Sequence, residues 1–123
     1  MIKLSYFIHR LPSLSPQDFH SHWRNQHAAL IVKHASVFGI RRYVQLHATE
    51  HPSNLPTEAF PEPYDGVAEL WFAAEAQLEQ WFANSTPQAI AAGKEIRADE
   101  RRFIDRARSP FLLGEELPVI SGA

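Results

Sequence analysis

Leu4, Tyr6 and Ile8 alternate with Lys3, Ser5 and Phe7, the two-residue period of a strand, so residues 2–8 are predicted as the first β-element. The period then changes. Phe19, Trp23, His27, Leu30, Ile31, His34 and Phe38 fall within one arc of about 120° when each residue turns by 100°. The predicted helix has a clear start, with Ser15 as N-cap and Pro16 at the first helical position, and a natural stop at Gly39. Two-residue alternation returns over Ile40–His47. It predicts a second strand with Ile40, Arg42, Val44 and Leu46 on one face and Arg41, Tyr43, Gln45 and His47 on the other.

Residues 48–65 hold four prolines and no period. A loop of that length in a small domain is often functional, and it is expected to cross a pocket mouth as a lid. Asp65-Gly66 reads as a turn into a third strand, Val67–Phe72. Ala73–Ala83 is predicted as a short helix burying Leu78, Trp81 and Phe82. A second helix runs from Thr86-Pro87 to about Arg102, and Pro110–Leu117 is the last strand candidate. The order is β-α-β-β-α-β with a split last helix, the ferredoxin-like motif of an α+β protein. Residues 1–117 are read as one domain and 118–123 as a loose tail. Helices on one face of such a sheet leave the other bare, so a two-fold homodimer packing sheet on sheet is expected.

Composition narrows the chemistry. A hydrophobic fraction of 45% in 123 residues supports one packed core, and the absence of cysteine excludes disulfides and thiolate chemistry. Twelve basic against fourteen acidic residues give no general basic surface for nucleic acid. The stretch Arg97–Arg108 carries Asp99, Glu100 and Asp105 among its arginines and reads as a solvated helix face. No apolar run approaches a membrane span and no signal-type segment stands at the N-terminus, so a cytoplasmic protein without membrane or nucleic-acid partners is expected. Five glycines with no phosphate-loop or Rossmann spacing argue against nucleotide cofactors. His20 and His22, two apart on a helix, point about 200° apart and cannot share a metal; neither a metal nor a cofactor is expected. Glu69, inside an apolar strand, calls for a partner such as Arg42.

Phe19-x3-Trp23-x3-His27-Ala28 on the first helix and Tyr64-Asp65-Gly66-Val67-Ala68-Glu69-Leu70-Trp71-Phe72 at the third strand resemble the EthD family. Phe103-Ile104-Asp105 and the apolar-then-acidic segment Pro110–Glu116 extend that likeness to most of the chain. The resemblance implies a dimeric α+β barrel with a pocket between sheet and helices, similar to cofactor-free enzymes of the methylmuconolactone isomerase type. It implies a catalytic pair at His27 and Tyr43; the strand-three cysteine of that isomerase is Leu70 here. The imidazole of His27 suits proton abstraction beside a carbonyl, and the Tyr43 hydroxyl could donate to a developing oxyanion. On the same reading Trp23, Leu30, His34, His47, Leu70 and Phe72 line the pocket. His27, His34, Tyr43 and His47 each also read as structural residues. The expected function is a cofactor-independent lyase, isomerase or cyclase acting on a small apolar carbonyl- or lactone-bearing substrate. A non-catalytic ligand-binding protein and a cofactor-free monooxygenase of the same fold are the alternatives.

Overall fold

The computed structural model describes residues 1–122, so the last residue of the expected tail, Ala123, lies outside the described residues. Four strands, β1 (Ile2–Ile8), β2 (Ile40–His47), β3 (Gly66–Phe72) and β4 (Phe111–Gly114), form an antiparallel sheet in the order β2-β3-β1-β4. The helices are α1 (Pro16–His22), α2 (Ala28–Phe38), α3 (Glu75–Ala83) and α4 (Pro87–Glu100). This is the expected ferredoxin-like α+β arrangement, with the last helix split at Asn84, which takes a left-handed conformation.

Local chemistry accounts for the helix ends. The Ser15 hydroxyl accepts from the Asp18 N–H at 3.1 Å, and Thr86 does the same for Ala89 at 3.1 Å, each followed by Pro at N1. Gly39, at φ +64°, closes α2 in the left-handed region where a side chain would be strained. Between α1 and α2 the chain stays helical but widens into a π-turn over Trp23–His27.

The core lies between the sheet and the helices: Leu4 and Ile8 of β1 and Leu70 and Phe72 of β3 meet Phe19, Trp23, Ile31 and Phe38 from the helical side, with Ile96 and Phe103. At Gly66 the backbone passes so close to the Trp23 ring and the Leu46 carbonyl that no Cβ could be accommodated without a shift. Register places Tyr43 opposite Leu70, which in turn faces Leu4, so Tyr43 is on the helix-facing side and packs against the core.

Several expectations are corrected. A β-bulge between Ile40 and Arg42 breaks the alternation of β2, so Ile40 joins Tyr43, Gln45 and His47 on the helix face while Arg42, Val44 and Leu46 keep the other. Glu69 pairs with Lys3 at 3.1 Å, and Arg42 stacks on Trp71 instead, 4.7 Å from the ring centroid. Phe82 is half exposed, and the last strand is only Phe111–Gly114, exposed throughout. No helix of the described residues is long and apolar enough to cross a membrane.

Candidate active site

An apolar cavity of about 570 Å³ opens between the sheet and the α3–α4 pair. Leu4 and Leu70 form its floor, Phe38, Trp81 and Ile96 its helical side, and Phe82 and Phe111 stand at its mouth with ring centroids 5.4 Å apart. Polar groups reach this wall from three places: Tyr6 on β1, Arg97 and Glu100 on α4, and Arg106 and Ser109 in the segment that leads into β4. The Ser109 hydroxyl is already committed, accepting from the His9 N–H at 2.9 Å and donating to the Asp105 carbonyl at 2.8 Å.

Glu100 is the notable group. Burial raises its carboxyl from an ordinary 4.5 to about 7, with the nearby Asp99 adding to the rise and Arg106, Arg97 and Arg101 opposing it. The Tyr6 hydroxyl is pushed up to about 12 by burial and by the charge of Glu100, against the pull of Arg106, and so stays protonated. A solvated-face reading of Arg97–Arg108 hides both Asp99, which is buried, and Glu100, which faces the cavity. The signal available in the sequence was the apolar set Ala89, Ala92, Gly93 and Ile96 on α4, whose seven-residue continuation reaches Asp99 and Phe103.

The residues expected at the site do not share one place. Leu70 lines the cavity. Trp23 and Phe72 are fully buried core residues, Leu30 is half-buried on α2, and His34 Nε2 sits 3.3 Å from Glu95 Oε2 without hydrogen-bond alignment. His27 is buried with Asp99 outside the cavity lining: its Nδ1–H donates to Asp99 Oδ2 at 2.8 Å, while His22 Nε2–H donates to Oδ1 at 2.9 Å. The π-turn makes this convergence possible. Residues five apart in an α-helix are about 140° apart, whereas one turn of a π-helix, with its i→i+5 bonds, returns them to nearly the same side. Burial lowers the pKa of His27, with Asp99 working in the opposite direction.

Tyr43 belongs to a second polar chain. Gln45 Nε2 donates to the Tyr43 hydroxyl and to the Trp23 carbonyl, each at 2.9 Å, and its Oε1 accepts from His47 Nε2–H at 2.7 Å. That leaves His47 Nδ1 as the acceptor for His20 Nδ1–H at 2.6 Å. With both nitrogens committed, His47 is held down to about 4, by burial first and by His20 next. Burial raises Tyr43 to about 12. Neither His27 nor Tyr43 lines the apolar cavity. The 48–65 loop does not cross it either: the loop borders a separate polar depression with His9, Arg10, His20 and His47. Among the described residues no group of three or more His, Asp or Glu side chains is arranged to hold a metal ion.

A ferredoxin-like α+β sheet with an apolar cavity walled by its helices defines a class of small domains that enclose a ligand-sized space between sheet and helices. The EthD domain model matches residues 11–107, and the chain belongs to the EthD family. An EthD family protein from Bacillus halodurans C-125 is similar at 24% identity and TM-score 0.63, over 95% of this chain and 99% of that one. HapK from Hahella chejuensis is similar at 14% identity and TM-score 0.65, over 100% and 99%. A dimeric protein of unknown function with a ferredoxin-like fold from Bacteroides fragilis NCTC 9343 is similar at 13% identity and TM-score 0.58, over 94% and 95%. No curated protein matches the chain.

Proposed function

We propose that this protein is a cofactor-independent enzyme of the lyase, isomerase or cyclase type that moves a proton on a small apolar carbonyl compound held in the cavity. One observation carries the reading: a carboxyl held near neutrality and a protonated phenol, Glu100 and Tyr6, share the wall of a largely apolar cavity, with Arg97 and Arg106 beside them. A general base works best when its pKa lies near the working pH, and Glu100 meets that condition. As a carboxylate, Glu100 takes the proton from the carbon beside the carbonyl. The Tyr6 O–H donates to the carbonyl oxygen, where negative charge grows, and apolar walls strengthen that bond. Returning the proton from Glu100 to another position gives isomerisation; expelling a leaving group gives elimination.

His27 and Tyr43 act on this site without lining it. His27 anchors Asp99, whose charge raises the adjacent Glu100. Tyr43 lies within reach of the Glu100 charge. The test uses D₂O and a panel of small aryl ketones and lactones, with exchange of their α-protons followed by NMR. The protein is expected to accelerate exchange of at least one member. Binding without acceleration would instead support the carrier reading.

A homodimer belongs to the same proposal. Leu46 and Leu112, 57% and 63% exposed, stand on the sheet face that carries no helices. Light scattering at micromolar concentration is expected to give twice the 14.0 kDa chain mass; a monomer mass would rule the sheet-on-sheet dimer out.

A further inference from the structure

The cavity holds more positive charge than its own groups use. Arg97 and Arg106 both line it, and among the described residues neither forms an ion pair. Arg97 donates to the side-chain carbonyl of Asn84 at 3.0 Å, a neutral partner that fixes the guanidinium without neutralising it. Arg106 is exposed, close enough to Tyr6 and Glu100 to act on both. The remaining wall is aromatic and aliphatic, from Phe38, Leu70 and Trp81 to Phe82 and Phe111 at the mouth. Two cations at the edge of an apolar slot are the complement of a molecule with one flat apolar body and one anionic end.

We infer that the cavity takes a small aromatic or alicyclic carboxylic acid, its carboxylate held by Arg106 and Arg97, and that binding is coupled to uptake of a proton by Glu100. The inference rests on the proposed small-molecule role of the cavity and adds the charge of the ligand and the proton count; such an acid protonates the base that proton transfer needs, so it occupies the cavity as an inhibitory ligand and not as the substrate. The coupling is electrostatic. Glu100 and an incoming carboxylate compete for the same two guanidiniums, so a bound anion withdraws their support from the Glu100 carboxylate and brings one more negative charge beside it. The charged and titratable groups near Glu100 are Tyr6 from β1, Tyr43 from β2, Arg97 and Asp99 from its own helix, Arg101 at that helix's C-cap, and Arg106. Burial has moved Glu100 into the neutral range, so the proton goes there. The segments contributed by α3, β3 and β4 to the cavity present apolar side chains.

The experiment is calorimetric titration of the full chain with 1-naphthylacetate and with its neutral isostere 1-naphthylacetamide. Each is run at pH 6.0, 7.5 and 8.5 in buffers of different ionisation enthalpy, which counts protons. The acid is expected to bind at least 10-fold more tightly than the amide at pH 6.0. Its affinity should fall as pH rises past 7, approaching 10-fold per pH unit, with proton uptake toward one per ligand at pH 8.5. In the Arg106→Gln protein the preference for acid over amide should shrink about 10-fold. In the Glu100→Gln protein proton uptake should disappear while the acid still binds. Equal affinity for acid and amide would overturn the carboxylate inference and leave the cavity standing as a small-molecule site. Proton uptake that persists in Glu100→Gln would overturn the coupling. Failure of both compounds to bind would sink the inference together with the small-molecule reading.

Discussion

Replacing Glu100 with Gln is expected to lower catalysed α-proton exchange by about 10²–10⁴-fold, the usual contribution of a general acid or base, and at the same time to make the protein more stable in alkaline solution. The two effects have one origin. Glu100 lines an apolar cavity, where its charged form is poorly solvated, and its carboxyl is raised from 4.5 to about 7. In the unfolded chain this carboxyl ionises freely above pH 4.5, while in the folded protein it resists until about 7. Folding stability is therefore lost as pH rises between those values, and the loss is complete above 7. The difference corresponds to about 3 kcal/mol. Gln keeps the shape and carries no charge, so Glu100→Gln should gain up to that amount at pH 8 and nothing below pH 4.5. Urea melts at pH 4 and pH 8 check the stability, and D₂O exchange checks the rate. Lost exchange with no alkaline gain in stability would mark the substitution as a disturbance of packing. Retained exchange would remove Glu100 from the mechanism.

Asp99→Ala should be the most damaging single change to the folded state. Asp99 is 7% exposed and accepts from two buried or half-buried imidazoles, His22 at 2.9 Å and His27 at 2.8 Å. Removing the carboxylate leaves both N–H groups without their partner. Breaking one side of a buried polar assembly costs about 3–5 kcal/mol. The acid side should change as well. His27 and His47 both have pKa values below the ordinary 6.5, and His47 is near 4. At these two imidazoles the folded protein binds fewer protons than the unfolded chain below about pH 6.5, so their contribution to stability falls as pH drops from there toward 4, against the opposite contribution of Glu100. In Asp99→Ala, His27 loses the contact and the charge that favour its protonated form. Its pKa falls further, so the window of acid destabilisation extends to lower pH. Thermal melts of both proteins from pH 8 to 4 measure the two effects together. A variant that melts like the parent would mean the His22–Asp99–His27 set carries no structural weight.

Much of this protein is legible in its residues because the deciding forces are local. Alternation over 2–8 and 40–47, the Ser15-Pro16 start and the Gly39 stop depend on backbone geometry and nearest neighbours, and the elements form where those signals stand. The inward arc of Phe19, Trp23 and Phe38 follows from burial alone, and all three are fully buried. The order of elements then leaves few topologies, and the ferredoxin-like sheet is the one adopted.

The candidate site depended on long-range packing, which no local pattern encodes. Asp99 and Glu100 look like solvated charges in a run of arginines until α4 docks, when one carboxylate meets two histidines 72 and 77 positions away and the other faces a cavity. The π-turn at Trp23–His27 rotates His22 onto the same side as His27, a change that a fixed 100° per residue does not anticipate. The bulge at Ile40–Arg42 likewise resets one strand face because β3 offers one partner for two residues. Propensity and period determined which segments are helix and strand. Which side chains meet, which acid is dried and raised, and where the cavity lies were decided only when the elements packed, because desolvation and charge pairing act between residues far apart in the chain.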